Sequence, residues 1–315
     1  MIDKSSKIFL GGHKGMVGSA INKILINQNY SNIITASREN LDLLNQRAVE
    51  NYFKAEKPEY TIIAAAKVGG IKANITYPAN FLYENLQIQN NLIHYSALYG
   101  VKKLVFLGSS CIYPKDSPQP MKEEYILNGK PEPTNEGYAL AKIIGLKMCE
   151  YYYKQYNLNS ICLMPPNLYG PNDSFDLEKS HVLSALVKRF VDAKVEGVEE
   201  LKLWGSGIAR REFMHVNDCA RAVLYFFQNY DYINYINIGW GYDISIKELA
   251  IVIAELVGYN GNIIWDKTKP DGMLRKCMDV SKMKGTGFMP EILLKEGIEE
   301  MINNYIQLRN RKAVI

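Results

Sequence analysis

Short apolar runs alternate with longer amphipathic segments through the first half of the chain. The apolar runs predict strands at 7–10, 32–37, 60–66, 103–108 and 160–164. The segments between them predict helices at 16–28, 45–56, 79–100 and 138–156. Strands that alternate with helices of this length predict an α/β fold with a Rossmann-like, doubly wound parallel sheet.

After residue 164 the pattern becomes less regular and richer in turns. It predicts helices at 180–193, 217–229, 245–258 and 293–310, and short strands at 201–205 and 235–239. Asn217 or Asp218 is the predicted N-cap of the second of these helices. We therefore expect a sheet domain at 1–164 and a smaller C-terminal α/β part at 165–315, with strand 235–239 and other segments returning to the sheet.

Composition narrows the class of protein. Among 315 residues, 47% are hydrophobic and 22% are charged, as in ordinary globular proteins. The net charge of +4 is scattered, which argues against a nucleic-acid partner and suits a small anionic ligand. Five cysteines without a CxxC pair predict free thiols in a reducing compartment and no metal site. No apolar stretch approaches the roughly 18 residues of a membrane span, so we expect a cytoplasmic protein.

Three glycines follow the first predicted strand and open the first helix. Gly12, Gly15 and Gly18 have the spacing GxxGxxG. A pyrophosphate needs bare backbone and helix N–H groups, which a side chain would obstruct. The pattern predicts dinucleotide binding, with a purely structural turn as the alternative.

The end of the second predicted strand bears on which dinucleotide binds. Sites selective for NAD usually carry an acidic residue here to bind the ribose hydroxyls. This chain has Ser37 and Arg38, which suit the 2′-phosphate of NADP, although Glu39 follows. NADPH/NADP⁺ is the predicted cofactor, and a surface arginine without a ligand is the alternative.

Tyr138 and Lys142 are four residues apart in a helical segment, so their side chains share one face. We expect the ammonium to lower the pKa of the phenol, which could then exchange a proton with a carbonyl oxygen. Ser109 and Ser110 end the fourth predicted strand, where ligands bind in open parallel sheets. One of these serines could hydrogen-bond the same oxygen; the alternative is that both are loop hydroxyls that bond the backbone.

A long, ordered series of motifs resembles the extended short-chain dehydrogenase/reductase family, and within it the GDP-L-fucose synthases. The series is "GHKGMVGSAI", "AAAKVGGIKAN", "FLGSSCIYP", "EPTNEGYALAK", "NLYGPND", "SHV", "WGSG", "REFMHVND" and "KPDG". It runs through nearly the whole chain. The resemblance implies an NADPH-dependent 4-keto reductase of a GDP-4-keto-6-deoxy sugar, and a homodimer.

The resemblance also implies roles for individual residues. Ser109, Tyr138 and Lys142 match the reductase triad, and Cys111 and His181 match the acid/base pair that epimerises C3 and C5. The residues expected to bind the cofactor are Gly12, His13, Lys14, Gly15, Met16, Val17, Gly18, Arg38, Ala64, Ala65, Leu107, Gly108, Ser109, Tyr138, Lys142, Pro165, Asn167, Leu168 and His181. Those expected to bind the sugar nucleotide are Ser110, Cys111, Asn167, Val182, Arg189, Trp204, Arg211 and Asp271.

The sequence leaves the sugar open. Pro166 stands where fucose synthases commonly carry a threonine, near the predicted sugar site. One alternative is a reductase of a GDP-6-deoxy-4-keto-heptose with little epimerase activity. In that case a separate enzyme would carry out the epimerisation. A heptose differs by one carbon, which gives little sequence signal. Another alternative is a non-catalytic dinucleotide-sensing protein, which would not need the intact Ser109, Tyr138 and Lys142 set.

Overall fold

A six-stranded parallel sheet forms the centre of the protein. The computed structural model describes residues 2–177, 180–231, 234–269 and 271–313. The strands are β1 (Ile8–Gly11), β2 (Ile33–Ile34), β3 (Tyr60–Ile63), β4 (Lys103–Leu107), β5 (Ser160–Met164), β6 (Asn167–Tyr169), β7 (Glu200–Trp204), β8 (Arg210–Arg211), β9 (Phe213–His215), β10 (Asn234–Asn237), β11 (Ile244–Ser245), β12 (Asn262–Asp266) and β13 (Arg275–Lys276). The helices are α1 (Met16–Asn27), α2 (Gln46–Glu56), α3 (Ile71–Thr76), α4 (Pro78–Leu98), α5 (Glu136–Tyr156), α6 (Val182–Glu196), α7 (Val216–Asn229), α8 (Ile246–Val257), α9 (Ser281–Gly285) and α10 (Leu294–Ala313).

The order of the strands creates a ligand crevice at one edge of this sheet. The order is β10-β5-β4-β3-β1-β2, and every neighbouring pair is parallel. The prediction of a parallel sheet is confirmed, as is the return of strand 235–239, which is β10. From β1 the chain moves to β2 on one side and then to β3 on the other. Such a reversal opens a crevice at the carboxyl ends of β1 and β3, where ligands bind.

Two local predictions are wrong. β2 has only two residues, because it is an edge strand whose pairing with β1 ends at Ile34. α7 begins at Val216 rather than after Asn217 or Asp218. Its N-cap is His215, whose side chain accepts the N–H of Asn217 at 3.3 Å. Asp218 cannot cap the helix because its buried carboxylate accepts hydrogen bonds from Arg221 and from the backbone of 291 and 292.

The buried apolar side chains of the described residues form two clusters. The larger one packs on both faces of the parallel sheet and takes in residues from 214–238 and 273–288. The smaller one joins α6, α8 and α10, with Phe190 and Ile253 fully buried in it. Residues beyond 164 therefore contribute to both clusters, and the domain division at 164 stays a prediction.

Helices α4 and α5 lie side by side and set the position of one part of the crevice. Each has 21 residues. The buried amide of Gln89 in α4 donates to the carbonyl oxygen of Ala141 in α5 at 2.6 Å. This bond joins α4 to the first turns of α5, which lie over the end of β4. Neither helix, nor any other in the described part of the chain, has the length and hydropathy needed to cross a membrane.

Candidate active site

The glycine turn between β1 and α1 makes the close backbone contacts that a bound pyrophosphate requires. Gly12 has a φ of +86°, and a Cβ atom there would lie 2.6 Å from the backbone nitrogen of Ala65. A Cβ atom at Gly18 would lie 2.0 Å from the carbonyl oxygen of Gly12. Gly15 is the N-cap of α1 and carries no side chain, so the first N–H groups of the helix remain open to an anion. His13, Lys14, Met16 and Val17 complete the turn and the start of α1.

Six other residues predicted to bind the cofactor lie at carboxyl ends of neighbouring strands of the parallel sheet. They are Ala64 and Ala65 after β3, Leu107, Gly108 and Ser109 at the end of β4, and Pro165 after β5. Carboxyl ends of parallel strands share one edge, so the fold brings these residues to the side of the glycine turn. Asn167 and Leu168 follow Pro165 in β6, which pairs with β9 outside this sheet.

Arg38 lies beyond β2 at this same edge. Its side chain is 75% exposed, and its Nε atom is 3.9 Å from Oδ1 of Asp42. An exposed pair at that distance is weak, so the guanidinium is available to a phosphate.

Ser109, Tyr138 and Lys142 converge where α5 crosses the end of β4. The Nζ atom of Lys142 donates to the carbonyl oxygen of Leu107 at 2.8 Å and lies 5.9 Å from the centroid of the Tyr138 ring. Both side chains leave one face of α5, as their spacing predicted. Ser109 is the N-cap of a short 3-10 helix, and its hydroxyl interacts with the Tyr138 phenol. Ser110, in contrast, is buried, and its N–H donates to the carbonyl oxygen of 165.

The ionisation of this set differs from the sequence-based expectation. Burial raises the pKa of the Tyr138 phenol well above its ordinary value; Cys111 adds to the rise and Ser109 opposes it. Burial lowers the pKa of Lys142 to about 8. The expected lowering of the phenol pKa by the lysine is therefore wrong for the protein alone, because desolvation dominates. A phenol of this kind stays protonated at neutral pH, as a proton donor requires.

The Cys111 thiol lies among hydrogen-bond donors and positive charges. Its Sγ atom accepts from Nδ2 of Asn135 at 3.1 Å and from Nζ of Lys276 at 3.4 Å. Burial raises the pKa of the thiol, but Lys276, Ser109 and Arg211 outweigh burial and hold the pKa below its ordinary value. The four other cysteines are buried free thiols. Cys111 is therefore equipped to ionise.

His181 is the N-cap residue of α6 and lies near Asp173. Burial lowers the pKa of His181; Asp173 opposes this effect, and Lys276 reinforces it. Burial also raises the pKa of Asp173. The Ser184 hydroxyl donates to the Asp173 carboxylate and partly opposes this rise. Lys276 therefore lies within electrostatic range of both the Cys111 thiol and the His181 imidazole.

Arg211 and Asp271 lie beside this pair. The guanidinium of Arg211 donates to the carbonyl oxygen of Asp271 at 3.3 Å. The carboxylate of Asp271 accepts from the N–H and the hydroxyl of Ser206 at 2.7 and 2.8 Å. Burial lowers the pKa of Arg211, and Cys111 has the largest opposing effect, ahead of Glu132 and Asp271. A half-buried guanidinium beside the thiol could bind an anionic substrate.

The remaining residues predicted to bind substrate lie on α6 and β7. Val182 follows His181 as the first residue of α6. Arg189 donates to the carbonyl oxygen of Lys202 in β7 at 3.0 Å. Trp204 ends β7 with 56% of its surface exposed. Their contacts with a nucleotide stay predictions.

Sequence reasoning missed three residues that contact or polarise this site. Asn135 and Asp173 stand within the quoted motifs "EPTNEGYALAK" and "NLYGPND", so their position gave a signal that was not used. Lys276 had no such signal, because only the pairing of β13 with β8 brings it to the thiol.

A parallel sheet with a glycine turn at its strand-order reversal defines a dinucleotide-binding protein of the Rossmann type. Residues 8–239 match the model of the NAD dependent epimerase/dehydratase family, and the chain belongs to that family.

Individual relatives are similar over nearly the full chain. GDP-L-fucose synthase 1 of Arabidopsis thaliana is 51% identical over 307 residues, which cover 98% of this chain and 95% of the relative. GDP-L-fucose synthase of Escherichia coli (strain K12) is 43% identical and covers 97% of this chain and 98% of its own. The solved structure of a GDP-6-OMe-4-keto-L-xylo-heptose reductase from C. jejuni has a TM-score of 0.93 at 38% identity, with 98% and 99% of the two chains covered. The resemblance inferred from the motifs is confirmed.

Proposed function

We propose that this protein reduces the C4 ketone of a GDP-4-keto-6-deoxy sugar with NADPH, and that it also epimerises C3 and C5 of that sugar. The observation that carries the proposal is the convergence of Ser109, Tyr138 and Lys142 with the Cys111 thiol at the end of β4. The GDP-L-fucose synthases among the relatives support the same reaction class.

NADPH supplies the hydride when it is bound at the glycine turn. The turn fits its pyrophosphate because Gly12 and Gly18 leave no room for side chains. Arg38, exposed at the next strand end, suits the 2′-phosphate.

Replacing Gly18 by alanine should weaken NADPH binding and lower the thermal midpoint. The added Cβ atom would meet backbone of Gly12 at 2.0 Å, so the turn must open. Overpacking of this kind costs about 1–3 kcal/mol. If the turn must close to bind NADPH, a cost of this size raises the NADPH dissociation constant about 5- to 150-fold. Fluorescence titration and thermal melting measure the two effects. Gly285→Ala is the control, because a Cβ atom there meets nothing within 4 Å. An unchanged NADPH affinity in Gly18→Ala would contradict this prediction.

The reductive step places a hydride on C4 and a proton on its oxygen. Tyr138 donates the proton, and its raised pKa keeps the phenol protonated until the hydride arrives. The Ser109 hydroxyl hydrogen-bonds the same oxygen. Lys142 is fixed beneath the ring by the carbonyl of Leu107. The donated proton leaves a phenolate that the ammonium stabilises until it is reprotonated.

Epimerisation uses the acidity that the C4 ketone gives to the hydrogens on C3 and C5. Inversion requires one group to remove a proton from one face of the ring and another to return a proton to the opposite face. Cys111 as the thiolate is the base. His181 is the acid: burial lowers its pKa, against the opposing effect of Asp173, so the imidazolium releases its proton readily. A thiol and an imidazole can both titrate near neutral pH when tuned in this way.

A heptose is the second candidate substrate. The C. jejuni heptose reductase covers 98% of this chain at a TM-score of 0.93, so the same fold accommodates a GDP-heptose in that protein. In this reading the epimerisation belongs to a separate enzyme that acts earlier.

Incubation with GDP-4-keto-6-deoxymannose and with its heptose analogue in D2O separates these candidates. Without NADPH, we expect deuterium at C3 and C5 of the preferred sugar, measured by mass spectrometry and NMR. Added NADPH should then be oxidised as C4 is reduced. NADPH oxidation without deuterium at C3 and C5 would identify the protein as a reductase that lacks epimerase activity. No NADPH oxidation with either sugar would refute the enzyme assignment.

We also propose a cytoplasmic homodimer. Large apolar side chains are exposed on α4 and α5, among them Tyr83, Leu98, Ile144 and Tyr151. A second copy that packs against these helices would bury them. The free thiols fit a reducing compartment.

A further inference from the structure

A short parallel strand pair presents two positive charges beside the Cys111 thiol. β8 and β13 pair with Arg210 opposite Arg275 and Arg211 opposite Lys276. The Nε atoms of Arg210 and Arg275 donate to the two carboxylate oxygens of Asp243 at 2.6 and 2.5 Å. Successive side chains of a strand alternate between faces. Glu248 also pairs with Arg210 at 3.2 Å, so Asp243 and Glu248 together neutralise one face of the pair. Arg211 and Lys276 occupy the other face.

Like charges at opposed positions of a strand pair repel each other. Arg211 has the carbonyl oxygen of Asp271 as a partner. The ammonium of Lys276 instead donates to the sulfur of Cys111 at 3.4 Å. A neutral thiol is only a weak acceptor, whereas a thiolate is a full negative charge. The sulfur of Cys111 therefore offsets the repulsion between Arg211 and Lys276 only if it is ionised.

We propose that Lys276 is a positioning residue for epimerisation, whose ammonium holds Cys111 as a thiolate at neutral pH. Asn135, which donates to the same sulfur at 3.1 Å, fixes the direction of the thiolate. The inference rests on the proposed function in one respect, namely that Cys111 removes protons from the sugar.

The other groups that face Cys111 do not replace Lys276 in this role. Tyr138 of α5 is protonated at neutral pH and carries no charge. Arg211 of β8 acts on the thiol without a hydrogen bond to sulfur among the described residues, and its influence on the pKa of Cys111 is smaller than that of Lys276. His181 at the start of α6 has its pKa lowered by burial, and Lys276 lowers it further. Lys276 thus favours the ionised thiol and a readily released imidazole proton.

The first test measures the ionisation of Cys111 in the full-length protein without sugar. Iodoacetamide alkylates the thiolate, and mass spectrometry of the Cys111 peptide gives the rate at each pH. Lys276→Gln should slow alkylation at neutral pH roughly ten-fold, since a charge within hydrogen-bond distance shifts a pKa by about one unit or more. Its alkylation profile should move to higher pH. Lys276→Arg keeps the positive charge and should retain most of the wild-type alkylation rate. Lys295 is an exposed residue of α10, so the control Lys295→Gln should leave the alkylation rate of Cys111 unchanged.

An unchanged alkylation profile in Lys276→Gln would overturn the proposal. Lys276→Met removes the same charge and serves as the second neutral variant if the glutamine variant melts early. Equal slowing in Lys276→Arg would assign the effect to packing rather than to charge, and would also overturn it.

The second test follows deuterium entry at C3 and C5 of the sugar in D2O. We expect the exchange rate of Lys276→Gln to fall roughly ten-fold at neutral pH and to recover as the pH rises, because the thiolate population then increases. Reduction of a pre-epimerised sugar by the same variant should keep its kcat. If the wild-type protein exchanges no deuterium, the epimerase assignment fails, while the alkylation profiles still decide whether Lys276 ionises the thiol.

Discussion

Tyr138→Phe should abolish almost all reduction, with a fall in kcat of about 10²- to 10⁴-fold, the contribution typical of a positioned general acid. The ring remains to fill its place against Lys142, and only the proton on the phenol oxygen is lost. NADPH binding should therefore stay measurable, because the glycine turn and Arg38 are untouched. NADPH oxidation and fluorescence titration measure the two properties separately.

The matched control is Tyr153→Phe, on the same helix but with 40% of the residue exposed. It should retain full turnover. Turnover retained in Tyr138→Phe would refute Tyr138 as the acid.

In the wild-type protein, the rate of reduction should decline as the pH rises through about 8, where Lys142 loses its proton.

Cys111→Ala should separate the two halves of the reaction. Deuterium exchange at C3 and C5 should fall by about 10²-fold or more, since the base is removed. Reduction of a pre-epimerised sugar should change by less than about three-fold, because Ser109, Tyr138 and Lys142 are intact. Cys111→Ser keeps the size of the side chain but not its acidity, so the serine variant should lose exchange as well.

Thermal melting must accompany these measurements, because Cys111 also accepts two hydrogen bonds. If Cys111→Ala melts normally and yet loses reduction of the pre-epimerised sugar, the cysteine takes part in the reductive step. Full exchange in the serine variant would exclude the thiolate as the base.

The sequence determined the parallel sheet because hydrophobic periodicity is a local signal. Apolar runs at β1, β3, β4 and β5 are buried on both faces and give an unambiguous pattern. The edge strand β2 and the two-residue strands β8, β11 and β13 pair too briefly for such a pattern. Their existence depends on partners distant in sequence.

The sequence also determined which side chains of the glycine turn and of α5 lie together. Gly12 and Gly18 are separated by one turn and the start of one helix, and Tyr138 and Lys142 by one helical turn, so the local backbone fixes each spacing. Only the tertiary structure decided the ionisation of these groups. Burial reverses the expected shift of the Tyr138 pKa, and Lys276 reaches Cys111 from 165 residues away. Desolvation and charge contacts depend on what the whole fold places around a group, and no local pattern encodes them.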